Sequence, residues 1–141
     1  MNYVVLLALS AGMAIALQVV VNTIGLRDLG IGGLIGVSGL ATAAVGFLAT
    51  VLTNRPEYTG KALLCALVSG VLGAFILGSI VFAAGYGGVA RTLSLVIASQ
   101  LIAGLVADRT GLLGTAPQEI GTSKILGIAL ILIGGVLVVR T

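Results

Sequence analysis

Long apolar runs alternate with short polar breaks along the whole chain. A helix needs about 20 apolar residues to cross roughly 30 Å of hydrocarbon, and membrane strands would be shorter and alternate in polarity. The pattern therefore predicts an all-α integral membrane fold with five transmembrane helices, at residues 3–26, 30–53, 61–84, 89–107 and 122–139.

The breaks carry charged residues, proline or glycine. Arg27 and Asp28 close the first predicted helix, and Pro56 lies in the second connection, where it cannot continue a helix. The "GYGG" segment at 85–88 is interpreted as a turn or hinge, and the one long connection spans 107–124. We expect the 141 residues to form a single transmembrane domain, 1–141.

Composition supports a membrane location and excludes several kinds of chemistry. Hydrophobic residues make up 59% of the chain and charged residues 8%, whereas soluble domains carry about 25% charged residues. The first apolar run has no basic residue before it, so we expect a retained helix rather than a cleaved signal peptide.

The sequence lacks the residue types and clusters that catalysis, metal binding and nucleic-acid binding require. The chain has no His and one Cys, Cys65, which we interpret as a packing residue. Zinc sites need clustered ligands and acid–base catalysis needs a positioned base. We therefore expect no enzyme activity, no metal and no cofactor. The net charge of +3 is spread over the loops, so we expect no nucleic-acid partner.

Basic residues are almost balanced between the two sides that five helices would create. One side would hold Arg55, Lys61, Arg109 and Lys124, and the other Arg27, Arg91 and Arg140, a difference of 4 − 3 = 1. Since Lys and Arg bias sets orientation, three possibilities stay open. One or two residues such as Arg27 or Lys61 decide the orientation, or the chain inserts both ways, or it pairs with an oppositely oriented paralogue.

Dual insertion would explain the size of the chain. Many transporters consist of two inverted repeats with a binding site near the bilayer midplane, and five helices without an internal repeat are half of that design. We expect an antiparallel homodimer. Gly127, Gly134 and Gly135 in the last helix are candidate interface residues, because small residues let helices approach closely. The alternative is that they pack within their own chain.

Neutral polar residues recur inside the predicted spans. In the first helix Gln18 and Asn22 are the most informative, because a carboxamide without a partner costs roughly 2–7 kcal/mol in an apolar environment. Hydroxyl groups are weaker signals, since Ser and Thr also bond to their own helix backbone. The candidate substrate-binding residues are Ser10, Gln18, Asn22, Ser38, Thr42, Ser99 and Gln100. The alternative role for all of them is hydrogen bonding between helices.

No acidic or basic residue lies deep in a predicted span. Arg91 and Asp108 bracket the fourth helix and are interpreted as interfacial, although Arg91 reaching inward to an anionic group is an alternative. Proton-coupled transporters usually place an ionisable residue in the pathway. We therefore expect no coupling through a single acid, and a neutral or zwitterionic small-molecule substrate.

Three features together resemble a known family. They are the "LQxxxN" element at 17–22, the "SQLIAGLVADRTGLLG" stretch at 99–114 and the glycine-spaced last helix. The chain resembles the YdcZ-type five-helix proteins of the drug/metabolite transporter superfamily, relatives of the small multidrug resistance transporters. That resemblance implies an exporter in the bacterial inner (cytoplasmic) membrane. The embedded glutamate of small multidrug resistance transporters is absent, with Gln18 in the equivalent part of the helix, so cation/proton antiport is not implied.

The sequence thus favours an exporter that works by alternating access in a dual-topology dimer within the lipid bilayer. A small dual-topology ion channel is an alternative, with Phe75 and Phe82 spaced seven apart on the third helix. A membrane scaffold that transports nothing is another.

Overall fold

The described residues, 2–53, 58–111 and 121–140 of a computed structural model, form helices and no strand. The helices are α1 (Asn2–Thr53), α2 (Gly60–Gly87), α3 (Val89–Thr110) and α4 (Thr122–Arg140). Each is long and apolar enough to cross a membrane, and few of their side chains are buried within the protein. Large exposed apolar side chains suit a hydrocarbon solvent, so the chain has the character of a multi-pass membrane protein.

Helix α1 is bent at a glycine. Its 52 residues contain Gly30 with φ 65° and ψ 173°, a non-helical conformation that divides the helix. The break predicted at Arg27 and Asp28 is wrong in position, because the helix continues through both residues. Charged side chains are compatible with a helical backbone, whereas the conformation of Gly30 is essentially restricted to glycine.

A second glycine separates α2 from α3. Gly88 has φ 83° and ψ 151° and precedes the first residue of α3. Its carbonyl accepts hydrogen bonds from the Thr92 backbone N–H at 3.1 Å and the Thr92 Oγ1 at 2.9 Å. Helix α2 continues to Gly87, three residues past the predicted end at 84. Most of the "GYGG" segment is therefore helical, and the turn is confined to Gly88.

Helix α3 also exceeds its predicted length and ends in a left-handed glycine cap. It runs to Thr110 instead of 107, and Gly111 (φ 61°, ψ 28°) donates its N–H to the Ala107 carbonyl at 3.0 Å. This is the glycine-terminated C-cap common in helices. Arg55, Pro56 and residues 112–120 of the long connection lie outside the described residues.

The chain divides into two compact units, Met1–Gly85 and Tyr86–Thr141. In the first unit α1 and α2 come close at Gly78, where a Cβ would lie 3.4 Å from the Ile35 Cδ1 and 3.5 Å from the Ile31 Cγ2. The buried apolar side chains of the described residues all belong to this unit: Val19, Leu34, Val81 and Ala84. In the second unit α3 packs on α4. A single 1–141 domain stays a prediction.

Candidate functional site

Asn22 is a polar residue in the small core of the first unit. It is 8% exposed, beside Val19, which is 4% exposed and lies one turn earlier on the same face of α1. Its carboxamide makes no hydrogen bond to another described residue. A carboxamide has two N–H donors and an acceptor oxygen, and none of this capacity is used within the described part of the chain.

The burial of Asn22 does not trap an unpaired polar atom. Within the described part of the chain, no fully inaccessible side-chain nitrogen or oxygen lacks a hydrogen-bond partner. The Asn22 amide is therefore not a fully inaccessible, unpaired group.

Gln18 lies in a different environment from Asn22. Gln18 and Ser10 are both exposed on α1, whereas Asn22 is buried. A four-residue step in a helix overshoots one turn by about 40°, so three steps from Ser10 to Asn22 rotate the side chain by about 120°. Ser10, Gln18 and Asn22 are thus spread over about a third of the helix circumference.

The hydroxyl candidates bond to their own helices. Ser10 Oγ donates to the Leu7 carbonyl at 2.9 Å, Thr42 Oγ1 to the Ser38 carbonyl at 2.9 Å, and Ser99 Oγ to the Val96 carbonyl at 2.8 Å. Such bonds satisfy a hydroxyl donor in an apolar environment without a second helix. These three residues therefore have no structural need for a ligand.

The remaining candidates are Ser38, which is half-buried, and Gln100, which is exposed on α3. Among the described residues, no two of the seven predicted site residues are joined by a side-chain to side-chain hydrogen bond. Arg91 is also exposed, near the start of α3. The predicted substrate site therefore stays a prediction.

The sequence reasoning missed the pairing of two charged side chains. Lys124 Nζ lies 2.6 Å from Asp108 Oδ2, and the two side chains are 39% and 42% exposed. The pair joins the last turn of α3 to the first turn of α4. The sequence did contain one indication of this pairing, because two oppositely charged residues lie at the two ends of one long connection. An ion pair with this exposure contributes roughly 0–1 kcal/mol.

The three candidate interface glycines of α4 differ in their surroundings. A Cβ at Gly135 would lie 3.6 Å from the Ser94 backbone oxygen, so Gly135 packs against α3 of its own chain. A Cβ at Gly127 or Gly134 would meet nothing within 4 Å. Only these two leave space that a second molecule could occupy.

In the described segments no group of three or more His, Cys, Asp or Glu side chains is placed to hold a metal ion. The candidate residues are neutral hydrogen-bonding groups on apolar helices. Their most informative member is Asn22.

A family model described as "Putative inner membrane exporter, YdcZ" matches residues 3–137. The chain belongs to the YdcZ family. The match covers all four helices except the first residue of α1 and the end of α4, and it confirms the resemblance drawn from the sequence. Membership in the YdcZ family and the apolar helices together make this a multi-pass inner-membrane protein of an exporter family, not of an enzyme family.

Comparisons of the chain with curated proteins and with solved structures gave no match.

Proposed function

We propose that this YdcZ-family protein exports a small neutral or zwitterionic metabolite by alternating access between two oppositely inserted copies. The observation that carries the proposal is Asn22, a buried residue whose carboxamide makes no hydrogen bond to another described residue. In a bilayer that amide needs a polar group. A transported solute would supply one.

Helix α1 supports a five-span arrangement. A straight helix of 52 residues would be about 78 Å long, more than twice the roughly 30 Å hydrocarbon thickness. With the break at Gly30, its two parts of 28 and 23 residues each suffice for one crossing. Together with α2, α3 and α4 they make five spans, half of an inverted-repeat transporter.

Each of the two glutamines, taken within its own unit, is compatible with a position at mid-depth. Gln18 lies nine residues from Arg27 (27 − 18), and Gln100 lies nine residues from Arg91 (100 − 91). With the arginines at the membrane interface, each glutamine is about 13.5 Å deep, close to half of the hydrocarbon thickness. Transporter binding sites between inverted repeats lie near this depth.

A second copy would complete the site. The near balance of basic residues, 4 against 3, is compatible with insertion in both orientations. Gly127 and Gly134 leave open space along α4, where a helix of a second copy could approach. An antiparallel pair would place the Gln18 side chains of both copies near the midplane.

The charge distribution supports the substrate class. Arg27, Asp28, Arg91 and the Asp108–Lys124 pair all lie toward helix ends or breaks. A solute with an uncompensated charge would find no opposite charge at mid-depth, and transferring an unpaired ion into an apolar site is very costly. A neutral solute, or one whose charges balance, fits these residues.

Comparative metabolite profiling of cells tests the proposal and does not require an identified substrate. Cells expressing the wild-type chain should release at least one neutral or zwitterionic metabolite faster than cells expressing Asn22→Leu or Gln18→Leu. The matched control is Val21→Leu, a conservative change at an exposed apolar position between the two. Equal release profiles for wild type and both variants, at equal membrane content, would contradict the proposal.

Electrical recordings from purified protein in planar bilayers distinguish the channel alternative. Sustained single-channel currents would favour a channel, whereas a carrier gives slow, saturable exchange and no resolvable current. A scaffold predicts neither, and predicts full function in Asn22→Leu.

A further inference from the structure

Two contacts between α3 and α4 define how each helix is turned within the second unit. A Cβ on Gly135, near the end of α4, would lie 3.6 Å from the backbone oxygen of Ser94, near the start of α3. Asp108, near the end of α3, pairs with Lys124, near the start of α4. The two helices are therefore antiparallel, and these four residues mark the side that each helix turns toward the other.

On α3, three accessible residues lie to one side of the contact with α4. A helix turns by about 100° per residue, so Ile97, Gln100 and Gly104 lie about 60°, 120° and 80° from the direction of Ser94, all in the same sense of rotation. Ile97 is 47% exposed, and Gln100 is exposed. A Cβ on Gly104 would meet nothing within 4 Å.

On α4, the two open glycines lie to the same side of the pair. Gly127 and Gly134 are about 80° and 100° from Gly135, in the same sense of rotation as the three residues of α3. In antiparallel helices that face each other, equal senses of rotation lead to the same side. The α3–α4 pair therefore has one continuous face, the Gln100 face, made of Ile97, Gln100, Gly104, Gly127 and Gly134.

Gln100 is the polar member of this face. Its carboxamide makes no hydrogen bond to another described residue, although it has two N–H donors and an acceptor oxygen. Beside hydrocarbon such a group needs a partner. The three glycines leave room for the backbone of another helix to come close, so the face has both a need for a polar partner and the space for a helix that brings one.

The Gln100 face is centred on the middle of both helices. Helix α3 extends from Val89 to Thr110, so its midpoint is next to Gln100, and the midpoint of Gly127 and Gly134 is within one residue of the middle of α4 (Thr122–Arg140). A two-fold axis that relates oppositely inserted copies must lie in the plane of the membrane, near its middle. Both helices place the centre of the face where such an axis would pass.

We propose that a second, oppositely inserted copy of this chain packs on the Gln100 face, with the Gln100 carboxamides of the two copies hydrogen-bonded to each other at the two-fold axis. The inference rests on the proposed function and deepens it by naming the contact between the copies. Gln100 then has the role of hydrogen bonding between helices, and the solute is left to Asn22 and Gln18.

The face is complementary to itself when one copy is inverted. A two-fold axis brings the same residue of each copy together, and two carboxamides can each donate to the other's oxygen. Ile97 lies three residues before Gln100 and Gly104 four residues after it, so Ile97 of one copy is level with Gly104 of the other to within about 1.5 Å. A large side chain thus meets a glycine, twice by symmetry, and Gly127 meets Gly134 on α4.

The charged residues of α3 are compatible with this contact. Arg91 and Arg109 each lie nine residues from Gln100, a rotation of about half a turn. An inverted copy brings Arg91 of one chain to the depth of Arg109 of the other, but both side chains extend from the opposite side of α3. Like charges are therefore not brought face to face, and the contact consists of an amide pair surrounded by apolar and small residues.

Disulfide crosslinking in membranes tests the contact and its antiparallel sense together. Two full-length chains with different tags, both carrying Cys65→Ser, are made in the same cells, one with Ile97→Cys and the other with Gly104→Cys. We expect a disulfide between the two chains on oxidation with copper phenanthroline. Each variant alone should not crosslink, because its two cysteines would be about 9 Å or 12 Å apart along the axis, beyond the Cα separation of about 7 Å that a disulfide spans.

A parallel pair predicts the reverse result. Each variant would then crosslink with itself, and the mixed pair would be about 10.5 Å apart along the axis. That result would overturn this contact and the oppositely inserted pair of the proposed function. Ile102→Cys is the control for random collision, since Ile102 is 51% exposed but lies on the other side of α3. A mixed disulfide no stronger than that of Ile102→Cys, with both-sided termini and normal metabolite release, would reject the contact and leave the exporter proposal intact.

Gln100→Met tests the carboxamide pair itself. Methionine has a similar length and no amide, so the association constant of the dimer should fall by about tenfold, as expected for the loss of two hydrogen bonds between membrane helices. Förster transfer between labelled copies, diluted stepwise in lipid vesicles, measures it. Ile102→Leu is the matched control and should associate like the wild type. Unchanged association of Gln100→Met would overturn the pairing of the two carboxamides.

Discussion

At the scale of single residues, Asn22 and Gln18 differ more than their spacing suggests. Both are carboxamides one turn apart on α1, yet Asn22 is buried and Gln18 is exposed. The sequence identified both because a polar amide in an apolar run is costly without a partner. Their difference depends on which side of α1 faces the rest of the first unit, and a near-uniformly apolar helix contains no pattern that reveals it.

Replacing Asn22 with leucine should separate folding from function. Asn22→Leu removes an amide that makes no hydrogen bond to another described residue, so the free energy of unfolding should stay equal or rise by up to about 1–3 kcal/mol. Export of the substrate should be lost. Unfolding in detergent, followed by helical circular dichroism, measures the first effect and metabolite release the second. A marked loss of stability would mean that Asn22 bonds to a protein partner and acts as a structural link.

Gly30 has a conformation that other residues rarely adopt. With φ 65° and ψ 173°, Gly30→Ala should lower the free energy of unfolding by about 1–3 kcal/mol. Gly32→Ala is the matched control, because Gly32 is helical and a Cβ there meets nothing within 4 Å. Equal stability of the two variants would show that the bend does not require glycine.

At the scale of helices, apolar length predicted the regions that are helical, while the ends depended on backbone details. The predicted stop at Arg27 and Asp28 lay before the real bend at Gly30, because charge affects membrane depth rather than helix geometry. The extension of α3 to Thr110 follows from the cap at Gly111. Its glycine was visible in the sequence, but other glycines in the chain are helical, so the type of residue alone did not locate the cap.

The two faces of α4 should respond differently to a large side chain. Gly135→Leu should destabilise the packing of α3 on α4, since Gly135 lies against Ser94. Gly134→Leu should leave the unfolding midpoint of the single chain unchanged and weaken dimer formation. Thermal unfolding and chemical crosslinking in membranes measure the two effects. Unchanged crosslinking in Gly134→Leu, and in Gly127→Leu as well, would exclude this face as the dimer contact.

The Asp108–Lys124 pair should contribute little to stability. At 39% and 42% side-chain exposure, neutralising either residue with Asp108→Asn or Lys124→Met should change the free energy of unfolding by at most about 1 kcal/mol. A double-mutant cycle in detergent measures the coupling between the two residues. A coupling well above that value would indicate a pair shielded from water.

At the scale of the whole molecule, the family and the membrane class could be predicted from sequence, and the assembled site could not. Length, hydropathy and three weak motifs were enough to predict the family and the membrane class. The family match over residues 3–137 confirms the family. The site stays a proposal because Gln18 and Gln100 are exposed in the described single chain. Their partners would come from a second molecule or a solute, and one sequence contains neither.

The central claim is that two copies of this chain insert in opposite orientations and together form the exporter. Fusing a topology reporter to each terminus in turn, in cells that make only this chain, tests the claim most directly. The basic-residue balance of 4 against 3 predicts that each terminus is found on both sides of the membrane, in comparable amounts. A single fixed location for each terminus would contradict it.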